Sequence, residues 1–168
     1  MRESVTWEGR RLTLEWIDAS VMPPRGLIRQ VSAVCFTGRQ GIVLVSGRTG
    51  EWGLPGGHPE PEESALEALV REVREEACAV VRRTEYLGAQ RVSDPDSPTE
   101  EAEYYQLRYW AEVDLEPFQP LHETVHRIVV GPDEFLSRLA WGESRLAAVL
   151  MEEAMAVDKR LSRESTGG

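Results

Sequence analysis

The stretch Trp-Gly-Leu-Pro-Gly-Gly-His-Pro-Glu-Pro-Glu-Glu-Ser-Ala-Leu-Glu-Ala-Leu-Val-Arg-Glu-Val-Arg-Glu-Glu-Ala-Cys-Ala, residues 52 to 79, decides how this chain is read. It opens as a glycine–proline loop and becomes a helix. Ser64 followed by Glu67 is a capping box, in which each side chain satisfies a backbone N–H that the first helical turn leaves unpaired. Pro61 suits a chain about to enter a helix. Leu66, Leu69, Val70, Val73 and Ala77 fall at helical spacing and predict one apolar stripe facing a core. At about 100° per residue, Glu72, Glu75 and Glu76 gather on a face away from that stripe. Like charges three and four residues apart repel by roughly a few tenths of a kcal/mol per pair. Glu75 and Glu76 also stand in the last turn, where the helix dipole disfavours anions. Two local rules broken at one point signal function or strain. A hard divalent cation such as Mg²⁺ takes oxygen ligands, commonly carboxylates plus substrate phosphates, and would turn the repulsion into binding. The helix alone also fits a solvated acidic face in an acidic protein.

The wider spacing narrows the choice. Gly57, five residues, Glu63, seven residues, then Arg71-Glu72-Val73-Arg74-Glu75-Glu76 resembles the box of the Nudix hydrolase family. The resemblance covers residues 57–79, and the lead-in Trp52-Gly53-Leu54-Pro55-Gly56 is similar to the family's as well. Two positions depart from the pattern: Cys78 stands where the family has glycine, and Ala79 where it has a larger aliphatic residue. Helices often end on a left-handed residue, usually Gly, and another residue there costs about 1 kcal/mol. Cys78 therefore bears on the exit turn and not on the carboxylates. It is read as a small, partly buried residue rather than a reactive thiol.

The resemblance implies a mixed α/β fold, a Nudix-type sheet sandwiched between α-helices, with the box as a loop-helix-loop on one side. It implies Mg²⁺, with Mn²⁺ as an alternative, held by Glu72, Glu75 and Glu76 and in some members by the Gly57 carbonyl. Arg71 would orient a box carboxylate, and Glu63 would hold the loop-helix-loop together through Arg71. The implied reaction is hydrolysis of a nucleoside diphosphate linked to a group X, by attack of water on phosphorus. A box carboxylate such as Glu72, or an acid from elsewhere in the chain, would be the general base. A catalytically silent nucleotide sensor is the alternative, and a homodimer rests on the resemblance alone.

Composition sets outer limits. A chain of 168 residues predicts one domain, taken as 1–161 with a flexible tail at 162–168. At 41% hydrophobic and 29% charged it belongs with globular rather than disordered chains. A formal charge of −10 argues against non-specific nucleic-acid binding, which rests on basic residues. Cys35 and Cys78 have no metal or disulfide spacing. With no signal-peptide pattern and no apolar run of membrane length, a cytoplasmic location without a membrane partner is expected.

Outside the box, residues 4–17 alternate as a β-hairpin about Glu8-Gly9, followed by a break at 22–26. Strands are expected at 27–36, at 42–46 and within 80–92, and an acidic, proline-rich loop at 93–103. The loop at 47–50 lacks the Gly-Lys-Ser/Thr ending of a P-loop. Residues 104–113 alternate, with Tyr105, Leu107, Tyr109, Ala111 and Val113 on one face and Tyr104, Arg108 and Trp110 on the other. Tyr105, which could stack on a nucleobase, and Glu103 are the candidate substrate-binding residues. Pro95 stands 16 positions past Ala79, a spacing resembling that of family members that cleave ADP-ribose. His122-Glu123-Thr124-Val125-His126 spells a zinc-protease motif, but that chemistry needs a helix and this stretch is β-branched, so coincidence is expected. Glu123 is instead the candidate catalytic acid reaching the box, with Glu100, Glu101, Glu103 and Glu116 as rivals. A short helix is expected over 131–140 and a longer one over 143–158.

Overall fold

The computed structural model describes residues 1–98 and 102–166. The N-terminal alternation folds as β1 (Arg2–Trp7) and β2 (Arg10–Asp18). Glu8 and Gly9 take φ of 48° and 76°. Positive φ at both central residues is the two-residue turn whose twist matches that of its strands. The apolar runs give β3 (Ile28–Thr37) and β4 (Gly41–Ser46). Two-residue strands follow, β5 (Trp52–Gly53) and β6 (Gly56–Gly57). Then come helix α1 (Ala65–Ala77), the long strands β7 (Ala79–Ser93) and β8 (Glu103–Leu115), and β9 (His126–Val130). Helices α2 (Pro132–Arg138) and α3 (Arg145–Thr166) close the chain.

The strands form one mixed sheet, ordered β1-β2-β7-β8-β3-β4-β5, with β6 on β3 and β9 on β4. Only the β3–β8 pair is parallel among the described residues. Alternation along β8 divides the core. Leu107, Tyr109, Ala111 and Val113 join Ala68, Leu69, Val73 and Ala77 of α1 on one face. Trp110 on the other face joins Phe135 of α2 and Ala147, Leu150 and Ala154 of α3. This is the expected mixed sheet between helices, with an N-terminal hairpin.

Two expectations are corrected. The buried face of α1 runs through Ala68, Leu69, Val73 and Ala77, while Leu66 and Val70 are about half exposed, at 44% and 46%. The inward stripe is therefore rotated, and Glu72 and Glu76 continue it instead of facing away from it. Helix α3 runs to Thr166, so the tail expected from residue 162 is helical that far; residues 167–168 lie outside the described residues. As expected, His122 to His126 is not helical, and His126 begins β9, so the two histidines do not share a helix face. Among the described residues no helix is long and apolar enough to cross a membrane.

Candidate active site

Helix α1 starts with the expected reciprocal cap: the Ser64 hydroxyl accepts from the Glu67 N–H and the Glu67 carboxylate accepts from the Ser64 N–H, both at 3.1 Å. It ends on Cys78 in the left-handed conformation, φ 50° and ψ 50°, whose N–H donates to the Arg74 carbonyl. The cysteine thus performs the turn that glycine usually makes. Arg127 from β9 reinforces this end, its Nη1 donating to the Ala77 and Glu116 carbonyls at 2.8 Å each. A cation there offsets the negative end of the helix dipole, which the acids aggravate. The Thr124 hydroxyl donates to the Glu76 carbonyl at 2.6 Å, docking the 117–125 loop against the same end and bringing Glu123 with it.

Arg71 organises the carboxylates. Its Nε and Nη2 grip both Glu63 oxygens at 2.7 and 2.8 Å. Its Nη1 donates to Glu72 at 2.9 Å and to Glu75 at 3.3 Å. The two-pronged bond from Arg71, with the Glu60 N–H added, holds the Glu63 carboxyl down at about 2. Arg71 is itself held further into its charged form by Glu63. Glu63 thus ties the loop to the helix, as expected of it.

Glu72, Glu75, Glu76 and Glu123 line one cleft of about 540 Å³ with Gly56 and Gly57. Glu76 is tied to its neighbours by hydrogen bonds to Glu72 and to the Gly56 backbone. Burial first, then its hydrogen bond to Glu72 and the Glu72 charge, pushes its carboxyl well above the ordinary range, and Glu123 adds to the rise. The Gly56 N–H opposes the shift by donating to it. The close approach of loop and helix explains the glycine at 57: a Cβ there would stand 2.5 Å from Glu72 Cδ. Among the described residues, no three acidic, histidine or cysteine side chains already converge on one point. Arg71 draws Glu75 and one Glu72 oxygen aside while Glu76 leans on Glu72. The donors are nevertheless hard oxygens in an acid-rich cleft, the chemistry that Mg²⁺ or Mn²⁺ accepts.

The other candidates fall elsewhere. Tyr105 and Glu103 do not line this cleft. Strand alternation turns Tyr105 onto the α1 face, against the apolar layer, and Glu103 pairs with Arg91 at 2.6 Å. Glu116 faces Arg74 at 3.5 Å. Pro95 is exposed after β7. Glu100 and Glu101 lie outside the described residues. Gln30, Leu54, His58 and His122 complete the cleft, and sequence reasoning singled out none of them for it. His58 follows Gly57 directly, so its position beside the box was the available signal. Gln30 belongs to a strand that pairing alone brings there.

This geometry has a counterpart among known proteins. The family model described as the NUDIX domain matches residues 26–150, three quarters of the chain. The chain belongs to that family, the Nudix hydrolases. Its fold is similar to that of the Bacillus subtilis pyrophosphohydrolase BsRppH, with 23% identity, 92% of this chain and 97% of that one covered, and a TM-score of 0.69. The Escherichia coli ORF135 protein is similar at 26% identity, 81% and 96% coverage and a TM-score of 0.54. The NUDIX domain of Shewanella oneidensis NrtR, solved with ADP ribose, is similar at 23% identity, 86% and 93% coverage and a TM-score of 0.58.

Proposed function

We propose that this chain is a divalent-metal-dependent pyrophosphohydrolase acting on a nucleoside diphosphate linked to a group X. The observation that carries the reading is the meeting of Glu72, Glu76 and Glu123 in one cleft, where burial first, and then the Glu72 hydrogen bond and charge, raise the Glu76 carboxyl well above its ordinary range. Carboxylates crowded at this expense in pKa are characteristic of functional sites. Glu72, Glu75 and Glu76, with the Gly57 carbonyl, would hold Mg²⁺ or Mn²⁺. The cation would supply positive charge against the phosphoryl oxygens and make water more acidic.

The chain's own residues do the rest. Arg71 tethers Glu72 and Glu75 beside the cleft and is itself fixed by Glu63, and a bound cation would draw their oxygens from Arg71 into the site. The Gly56 N–H orients the Glu76 carboxyl. Glu123, on a loop docked to the helix end, has no bond to Arg71 and is free to take a proton from the attacking water; Glu72 is the rival base.

The test is product release from a panel of nucleoside triphosphates, ADP-ribose, nucleotide sugars and dinucleoside polyphosphates, with Mg²⁺ and with chelator. Cleavage of one class that stops with chelator is expected. Nucleotide binding with no cleavage of any member would favour a silent sensor.

A further inference from the structure

A second cleft, of about 520 Å³, opens on the sheet face opposite α1. Gln30 lines both this cleft and the carboxylate cleft, so the two adjoin. Its floor is built around Arg108 on β8, which is only 5% exposed. The Arg108 guanidinium donates to four oxygens, all uncharged: Gln90 Oε1 at 3.0 Å, Gln30 Oε1 at 2.9 Å, Ser32 Oγ at 2.7 Å and Gln106 Oε1 at 3.2 Å. Burial alone lowers its pKa, to about 10, and no carboxylate among the described residues answers it. Trp141, from the connection between α2 and α3, covers one face of the guanidinium at 5.4 Å.

The amide orientations follow from chemistry. Arginine has donors and no acceptor, so each glutamine must turn its oxygen toward it. What Gln30, Gln90 and Gln106 have left to offer a ligand is then their NH₂ groups. All three line the cleft. The floor around Arg108 is therefore rich in donors, and the lining side chains that can accept are the hydroxyls of Thr6, Tyr104 and Ser144. Its walls include Tyr104 and Trp141, with Leu12, Leu14 and Val92, largely apolar surfaces that suit a flat ring better than a phosphate.

Resting on the hydrolase reading above, we propose that this cleft holds the nucleobase of the substrate and selects a 6-oxopurine over adenine. The O6 and N7 atoms of a guanine-type base are both acceptors, the pattern that a donor floor and an arginine recognise. Adenine presents an N6 amino donor at the same place, which would face the donors of the floor. With the base here, the adjoining carboxylate cleft receives the phosphates.

The experiment is calorimetric titration of the full chain with GMP, AMP and inorganic phosphate, in chelator. It needs neither metal nor turnover, so it is independent of whether the chain hydrolyses anything. GMP is expected to bind roughly tenfold or more tighter than AMP, as a good two-point base contact implies. Gln106→Glu keeps an oxygen on Arg108 but replaces the outward NH₂ with an acceptor, and should bring the GMP and AMP affinities to within about threefold, roughly the loss of that one contact. A melting curve confirms that the variant is folded. Equal or tighter binding of AMP, no binding of GMP, phosphate binding as tight as GMP, or an unchanged preference in folded Gln106→Glu each overturns the proposal. Metal-dependent cleavage without base preference would leave the hydrolase reading standing and remove this one.

Discussion

Two adjacent glycines should respond in opposite ways to the same substitution. In Gly57→Ala the new Cβ would stand 2.5 Å from Glu72 Cδ and 2.7 and 2.8 Å from its two oxygens. Carbon atoms rest at about 3.5–4.0 Å, so the carboxylate must retreat by roughly 1 Å. The group that yields is the end of a flexible side chain, and stability should change by no more than about 1 kcal/mol. A displacement of that size in a catalytic constellation costs about 100-fold in rate, or about 2.7 kcal/mol. In Gly56→Ala the Cβ would meet the Val31 carbonyl at 2.3 Å and Ser32 Cα at 2.5 Å. Those atoms belong to the β3 main chain, paired with β6 there, and cannot step aside. We expect a loss of about 3 kcal/mol, a fall in Tm of roughly 6–12 °C. The assay is metal-dependent turnover beside a melting curve for each variant. Wild-type turnover in Gly57→Ala, or equal destabilisation by both, would refute the claim that Gly57 exists to admit the Glu72 carboxylate.

Other consequences are simpler to read. Cys78 holds φ 50° and ψ 50°, so Cys78→Gly should stabilise the chain by about 1 kcal/mol, a rise in Tm of roughly 2–4 °C; an unchanged or lower Tm would show that the thiol's contacts with Gln119 outweigh the strain. The Glu63 carboxyl sits at about 2 in the folded chain against an ordinary 4.5. Its folded pKa is the lower one, so its contribution is complete above pH 4.5 and is lost as pH falls toward 2. The Tm gap between wild type and Glu63→Gln should therefore be widest near pH 6 and close in acid, and a gap independent of pH would contradict the pairing. Cys35 is fully buried and its thiol is pushed up to about 12, whereas Cys78 is partly exposed; alkylation of the native protein should mark Cys78 and spare Cys35 until unfolding.

What the sequence disclosed and what it withheld have physical causes. The box was legible because its signals are local: a cap, a helical period and fixed spacing place Glu63, Arg71, Glu72, Glu75 and Glu76 on consecutive turns. The phase of the helix was not. Leu66 and Val70 look as apolar as Leu69 and Val73, and only packing against the sheet shows that Ala68 is the inward residue and that Glu72 and Glu76 lie at the edge of the buried face. Strand alternation separated Tyr105 from Tyr104, yet the periodicity could not say which face carries a cleft. Tyr104 lines the cleft and Tyr105 packs toward α1. Gln30, Gln90 and Arg108 come from three strands and meet through sheet pairing between residues far apart in the chain. No local pattern marks such a cluster.

The central claim concerns the carboxylates, and Glu76→Gln tests it most directly. The substitution keeps shape and removes only the charge that burial, and then the neighbouring carboxylates, already disfavour, so Tm should equal or exceed that of wild type. Product release by wild type and variant would be compared across the nucleotide panel with saturating Mg²⁺. The account predicts a folded variant with at least about 100-fold lower metal-dependent turnover. A folded Glu76→Gln that turns over within about twofold of wild type would contradict it.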